Sequence, residues 1–142
     1  MIQLLASLFL ASGFAHAADP LTIDVHRDPN CGCCTAWIEH LEENGITVND
    51  HLETDMRSFK QAHGVPAELA SCHTGLIDGR FIEGHVPATD ILAMYDKKEI
   101  KGLAVPGMPV GSPGMEMGDR KDAYKVISVD EKGSQAVFST YP

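Results

Sequence analysis

The stretch LTIDVHRDPNCGCCTAWIEHLEENG, residues 21–45, holds a strand, a turn, three crowded cysteines and a helix in that order. From Leu21 to His26, apolar Leu, Ile and Val alternate with Thr, Asp and His, the two-residue period of a half-buried strand. Asp28-Pro29-Asn30 is turn chemistry, and Asn30 suits the N-cap of a following helix. Cys34, Trp37, Ile38 and Leu41 then recur at three- and four-residue spacing, which predicts an amphipathic helix. Asn44-Gly45 ends it, because Gly takes the left-handed conformation past a helix cheaply.

Outward from this unit, Ile46 to Leu52 predicts a second strand, and Asp55 to His63 a second helix closed by Gly64. Thr74–Ile77 and Arg80–Glu83 flank Asp78-Gly79, a strong hairpin signal. Pro87 suits a first helical turn, with Ala88 to Lys97 following. Strand, helix, strand, helix, strand, strand, helix is the thioredoxin-like plan, here with a C-x-x-C at the first strand-to-helix junction. Gly102 to Gly118 holds five Gly, three Pro and three Met and reads as one long irregular loop. A loop of that length in a compact domain is usually functional or disordered. Tyr124–Val129 and Gln135–Tyr141 read as a C-terminal β-hairpin. The expected architecture is therefore α/β: a thioredoxin-like single domain over residues 18–142, with a Gly/Pro/Met-rich loop and a C-terminal β-hairpin.

The 142 residues suffice for one domain, and 44% hydrophobic with 22% charged residues is ordinary globular usage. The net charge of -9, with no basic run, argues against a nucleic-acid partner. Ile2 to Phe14 is apolar and uncharged, and Ala15-His16-Ala17 has the small-x-small form of a signal-peptidase site. Residues 1–17 thus predict a cleaved signal peptide, export to the periplasm and a mature chain from Ala18. The apolar run is shorter than the roughly 20 residues a bilayer span needs, so no membrane association is expected after cleavage.

Export makes disulfides available, yet stapling explains the cysteines poorly. Cys33 and Cys34 are adjacent, and a Cys31–Cys34 bond would close a very small loop with little entropic effect on the unfolded chain. Two chemistries compete. At a helix N-terminus, Cys31 and Cys34 gain thiolate character, which serves a redox dithiol or a metal site equally. A dithiol exchanger would use Cys31 as nucleophile and Cys34 as resolving thiol. It has no use for Cys33, for Cys72 or for the methionines of the loop. Soft thiolates and thioethers together select Cu(I), with Cys31, Cys33, Cys34 and Cys72 as sulfur donors. His85 and the turn methionines Met108 and Met115 are further candidate ligands, followed by His73 and Met117. Structural zinc usually takes two separated cysteine pairs, which this spacing lacks. His26, His40, His51 and His63 are expected on solvated faces or helix ends.

Five ordered motifs carry a resemblance over nearly the whole mature chain. They are Cys31-Gly32-Cys33-Cys34 with Trp37, Gly64-Val65-Pro66, Ser71-Cys72-His73-Thr74, Gly84-His85-Val86-Pro87, and Ile100-Lys101-Gly102-Leu103 through Pro113-Gly114-Met115-Glu116. In these the sequence resembles the small periplasmic copper-resistance proteins of the CopG family. The resemblance implies a thioredoxin-like fold holding a cysteine-bridged, multinuclear Cu(I) cluster. It places the cluster ligands on Cys31, Cys33, Cys34 and Cys72, with His85 and the loop methionines as terminal ligands. Copper tolerance is the implied role, with Cu(I)/Cu(II) interconversion and partners among other periplasmic copper-handling proteins as further expectations.

Overall fold

The computed structural model describes residues 18–142; the expected signal peptide, residues 1–17, lies outside the described residues. Three α-helices, a short 3₁₀ turn (Ala67–Leu69) and seven strands form one mixed α/β unit around a single sheet. The strands are β1 (Thr22–Arg27), β2 (Thr47–Leu52), β3 (His73–Ile77), β4 (Arg80–Glu83), β5 (Ile100–Ala104), β6 (Tyr124–Asp130) and β7 (Gln135–Tyr141). They lie in the order β2-β1-β3-β4-β5-β6-β7. The helices are α1 (Gly32–Glu43), α2 (Met56–Ala62) and α3 (Ala88–Tyr95). No helix among the described residues is long and apolar enough to cross a membrane.

β1 and β2 pair in parallel, joined by α1 as crossover, while β3 runs antiparallel to β1 and β4 antiparallel to β3. This alternation decides where the site falls. The C-terminal end of β1, the start of β3 and the C-terminal end of β4 all meet at one edge of the sheet. Ligand sites in open α/β sheets favour the carboxyl ends of strands. Here that edge receives Cys31 after β1, Cys72-His73 entering β3, and Gly84-His85 after β4.

The core follows the period of each element. α1 buries Cys34, Trp37, Ile38 and Leu41, the stripe read from the sequence, against Ile23 and Val25 of β1 and Ile82 of β4. A second cluster of Val65, Leu69, Phe81, Ala104 and Val129 packs separately. Strand alternation sends Phe81 and Ile82 to opposite faces, so the sheet is covered on both.

Two local expectations are corrected. The N-cap of α1 is Cys31, with no side-chain capping bond; Asp28 instead accepts the Asn30 N–H at 2.8 Å and holds the turn. The Gly/Pro/Met segment is not all loop, because β5 extends through Gly102 to Ala104 and pairs with β4 and β6. His40 lies in the last turn of α1, at a helix end as expected, and is half-buried there: its Nε2 accepts the Ala88 N–H at 3.0 Å, tying the end of α1 to the start of α3.

That bond requires an unprotonated Nε2. Burial lowers the His40 pKa from its ordinary value near 6.5, with Glu116 and Glu43 opposing the shift. A histidine depressed in the folded state stabilises the fold above the unfolded value and loses that contribution as pH falls toward the folded one. Metal-free protein is therefore expected to lose stability as pH drops below about 6.5. His40→Gln, whose amide oxygen can still accept the Ala88 N–H, is expected to lower the proton uptake on unfolding by up to about one. Urea titrations at stepped pH measure this, and an unchanged pH slope would refute it.

Candidate metal centre

Four sulfurs converge at the sheet edge: the Cys31, Cys33, Cys34 and Cys72 Sγ atoms all lie within 4.8 Å of one another. Cys31 and Cys34 are joined by a disulfide, while Cys33 and Cys72 are free thiols. The first turn of α1 places three of the sulfurs, and the chain entering β3 brings up the fourth. Cys34 is fully buried, whereas the other three are half-buried, so the cluster is open on one side.

A second, overlapping group is formed by Cys72, His73 and His85, again with ligand atoms within 4.8 Å. Both imidazoles are fully buried. Their tautomers follow from their partners, since a carbonyl can only accept a hydrogen bond. His73 Nε2 faces the Gly84 carbonyl at 2.8 Å and must carry the proton, leaving Nδ1 with its lone pair. His85 Nδ1 faces the Pro113 carbonyl at 2.7 Å, leaving Nε2 bare. The bare nitrogens point at sulfur. His73 Nδ1 is 3.2 Å from both Cys72 Sγ and Cys34 Sγ, and His85 Nε2 is 3.2 Å from Cys72 Sγ.

The proton count is short. A disulfide sulfur has no hydrogen and neither inward nitrogen carries one, so the Cys72 thiol offers the one proton among those four atoms. A knot of lone pairs with too few protons, each imidazole donating its far-side N–H to a backbone carbonyl, is how metal-ligating histidines are commonly oriented. Burial holds His73 well below its ordinary pKa, with His85 adding to the shift, and burial lowers His85 likewise. Both therefore present neutral rings. Burial, with Cys33 beside it, pushes the Cys72 thiol up to about 11, so a thiolate there needs a cation to displace the proton.

Trp37 forms the floor. Its indole N–H donates to the Val86 carbonyl at 2.9 Å, and its ring stacks on His73 at 4.2 Å between centroids. The Gly/Pro/Met loop closes over two sides. The Gly107 carbonyl, just before Met108, accepts the Ser71 hydroxyl at 2.6 Å. Gly114, just before Met115, packs so tightly on α1 that an added Cβ would lie 2.7 Å from the Trp37 backbone nitrogen. The loop thus brings both Gly-Met turns beside the cysteines, with Met108 52% exposed and Met115 half-buried. Met117 is exposed and sits in a turn bridged to Arg120.

Two surface clefts of about 440 Å³ lie elsewhere, one beside Tyr124 and Tyr141 and one between Arg57 and Ala70; neither is lined by the cysteines or by His73 and His85. The site is a cluster of donor atoms. His73 joins Cys72 and His85 in that group, although sequence reading ranks it behind both. Its neighbour Cys72 was the available signal, but its tautomer depends on a carbonyl 11 residues away.

Comparison with known proteins shows the family. Residues 69–115 match the family described as a protein of unknown function, DUF411. No curated protein sequence matches the chain. Two solved structures do: one described as copper resistance protein CopG, form 2, is 59% identical with a TM-score of 0.86, covering 87% of this chain and all 100% of that one. Form 1 of the same protein is 60% identical with a TM-score of 0.85, covering 87% of this chain and 99% of that one. With identity this high across nearly all of the described residues, the chain belongs to the CopG family of copper resistance proteins.

Proposed function

We propose that this protein binds copper in the periplasm through a thiolate-bridged Cu(I) cluster held by Cys31, Cys33, Cys34 and Cys72. His85 and His73 complete the inner donor set, with Met108 and Met115 as thioether ligands from the overlying loop. The observation that carries this reading is the proton-poor convergence of His73 Nδ1, His85 Nε2 and Cys72 Sγ on the cysteine cluster. The donors fit the ion: thiolate, thioether and neutral imidazole favour Cu(I) and disfavour hard cations. Sulfurs crowded on one helical turn suit several bridged ions better than one tetrahedral centre. Bound copper would supply one-electron chemistry, and interconversion of Cu(I) and Cu(II) is the finer part of the proposal. The disulfide fits an oxidising compartment, which supports export. The β2-β1-β3-β4 order, with C-x-x-C at the head of α1, supports the thioredoxin-like class.

Reduced protein is expected to bind more than one Cu(I) with a thiolate charge-transfer band. Trp37, the single tryptophan, is expected to be quenched in step, since it stacks on His73. Cys33→Ser should collapse the copper stoichiometry while leaving dithiol exchange by Cys31 and Cys34 intact. The second reading, a thiol–disulfide oxidoreductase, is favoured by the disulfide itself. Protein that fails to retain copper yet reduces insulin efficiently would establish that reading and overturn the first.

A further inference from the structure

Glu83, the last residue of β4, is charged and has no exposed surface. One carboxylate oxygen accepts the Ser71 N–H at 2.7 Å and pairs with the Lys60 ammonium of α2; the other accepts the Thr74 hydroxyl at 2.6 Å. Lys60 Nζ also donates to Thr74 Oγ1 at 3.0 Å. A buried ion pair seldom stabilises a fold more than apolar side chains of the same size would, so stability alone does not account for it. Its neighbours do. Ser71 precedes Cys72, Thr74 follows His73, and His85 lies two residues after Glu83. Each of the three inner donors outside α1 is therefore within two residues of a group fixed by, or carrying, this carboxylate. Through its hydroxyl, Ser71 extends the same network to the Gly107 turn beside Met108.

We propose that the buried Glu83–Lys60 pair positions Cys72, His73 and His85 so that their lone pairs converge before copper arrives. It is a positioning device and touches no metal. The proposal rests on the copper-binding reading for its purpose, but one of its readouts needs no copper.

The test compares two double variants. Glu83→Leu with Lys60→Met replaces the pair by apolar side chains, which should keep the fold, as circular dichroism checks. It removes the bonds to Ser71 and Thr74. Glu83→Gln with Lys60→Met keeps them, because the amide can accept the Ser71 N–H and donate to Thr74 Oγ1. With the Cys31–Cys34 disulfide intact and no metal present, iodoacetamide is expected to alkylate Cys72 about tenfold faster in the apolar variant, through local opening of its arm. Cys33 and the amide variant should stay within about twofold of wild type by the same argument. In reduced protein, Cu(I) affinity should fall about 10–100-fold in the apolar variant, the usual scale for losing outer-shell support. On a Cys72→Ser background the further fall should be smaller, since only His73 and His85 are then left to position.

Equal alkylation and equal copper affinity in the two double variants would overturn the proposal, as would additive losses with Cys72→Ser. Wild-type protein that retains no copper would sink the copper reading and leave alkylation to decide this one. Glu83→Asp covers the case of an apolar variant that does not fold. It draws the carboxylate back by one methylene, and an unchanged Cys72 alkylation rate there would again overturn the proposal.

Discussion

Protein holding the Cys31–Cys34 disulfide is expected to retain about half as much Cu(I) as protein with all four thiols free. The argument is one of donors. A disulfide sulfur cannot become a thiolate, so oxidation removes two of the four sulfurs that lie within 4.8 Å of one another. What remains is Cys72 Sγ with His73 Nδ1 and His85 Nε2, a set adequate for a single ion, and the Cys33 thiol beside Cys72. Reduction frees two further sulfurs at the head of α1, where the helix dipole and its unpaired N–H groups favour the thiolate form. These can bridge neighbouring ions. Titration with Cu(I) against a chromophoric chelator, on anaerobically desalted oxidised and reduced samples, measures the difference. Equal capacity would mean that Cys31 and Cys34 are not ligands and would leave them the exchange role alone. A reciprocal effect accompanies it: bound Cu(I) should slow reoxidation of the Cys31/Cys34 dithiol, because ligation and disulfide formation compete for the same thiolates.

The parts of this site that were legible in the sequence are those set by local period. The Cys34, Trp37, Ile38, Leu41 stripe, the Asp78-Gly79 hairpin and the apposition of Cys72 with the first three cysteines each follow from spacing or strand order. What the sequence concealed depends on partners far along the chain. β5 reads as loop because Gly102 and the proline run after it break the strand pattern. Yet Gly102 is there for a close approach, since a Cβ would lie 2.5 Å from the Phe81 ring. Glu83 looks like a polar strand end, and its burial rests on Lys60, 23 residues away, together with Ser71 and Thr74. His40 sits on the flank of the α1 stripe, and its role is set by Ala88, 48 residues on. Met108 and Met115 were legible as rigid turns. The loop's hold on Ser71 and Trp37 brings those turns to the site, and the ligand role of either sulfur remains part of the proposal.

Gly84→Ala is expected to be the most damaging single-methyl change, costing roughly 3 kcal/mol or more from left-handed backbone strain together with overpacking. Gly84 has φ +73°, a conformation that side-chain-bearing residues rarely adopt. An added Cβ would lie 2.6 Å from the Val105 carbonyl oxygen and 2.8 Å from the Ser71 Cβ. The first of these is backbone of the adjoining β5 segment and cannot swing away as a flexible side chain could. Relief would require moving the Glu83-Gly84-His85 chain away from both the Val105 carbonyl and Ser71. That motion breaks what makes the site: the Gly84 carbonyl fixes the His73 tautomer, the Gly84 N–H donates to the His73 carbonyl at 3.1 Å, and His85 follows directly. A domain of this size has only about 5–15 kcal/mol of total stability, so the loss should appear as a clear drop in urea midpoint. The functional loss should exceed it. Where Gly84→Ala remains folded, Cu(I) binding at the His73/His85 side should weaken while Cys31, Cys33 and Cys34, carried by α1, still bind. An unchanged midpoint with unchanged copper affinity would show that the β4 end is free to move, and that the convergence of His73, His85 and Cys72 is not held by this turn.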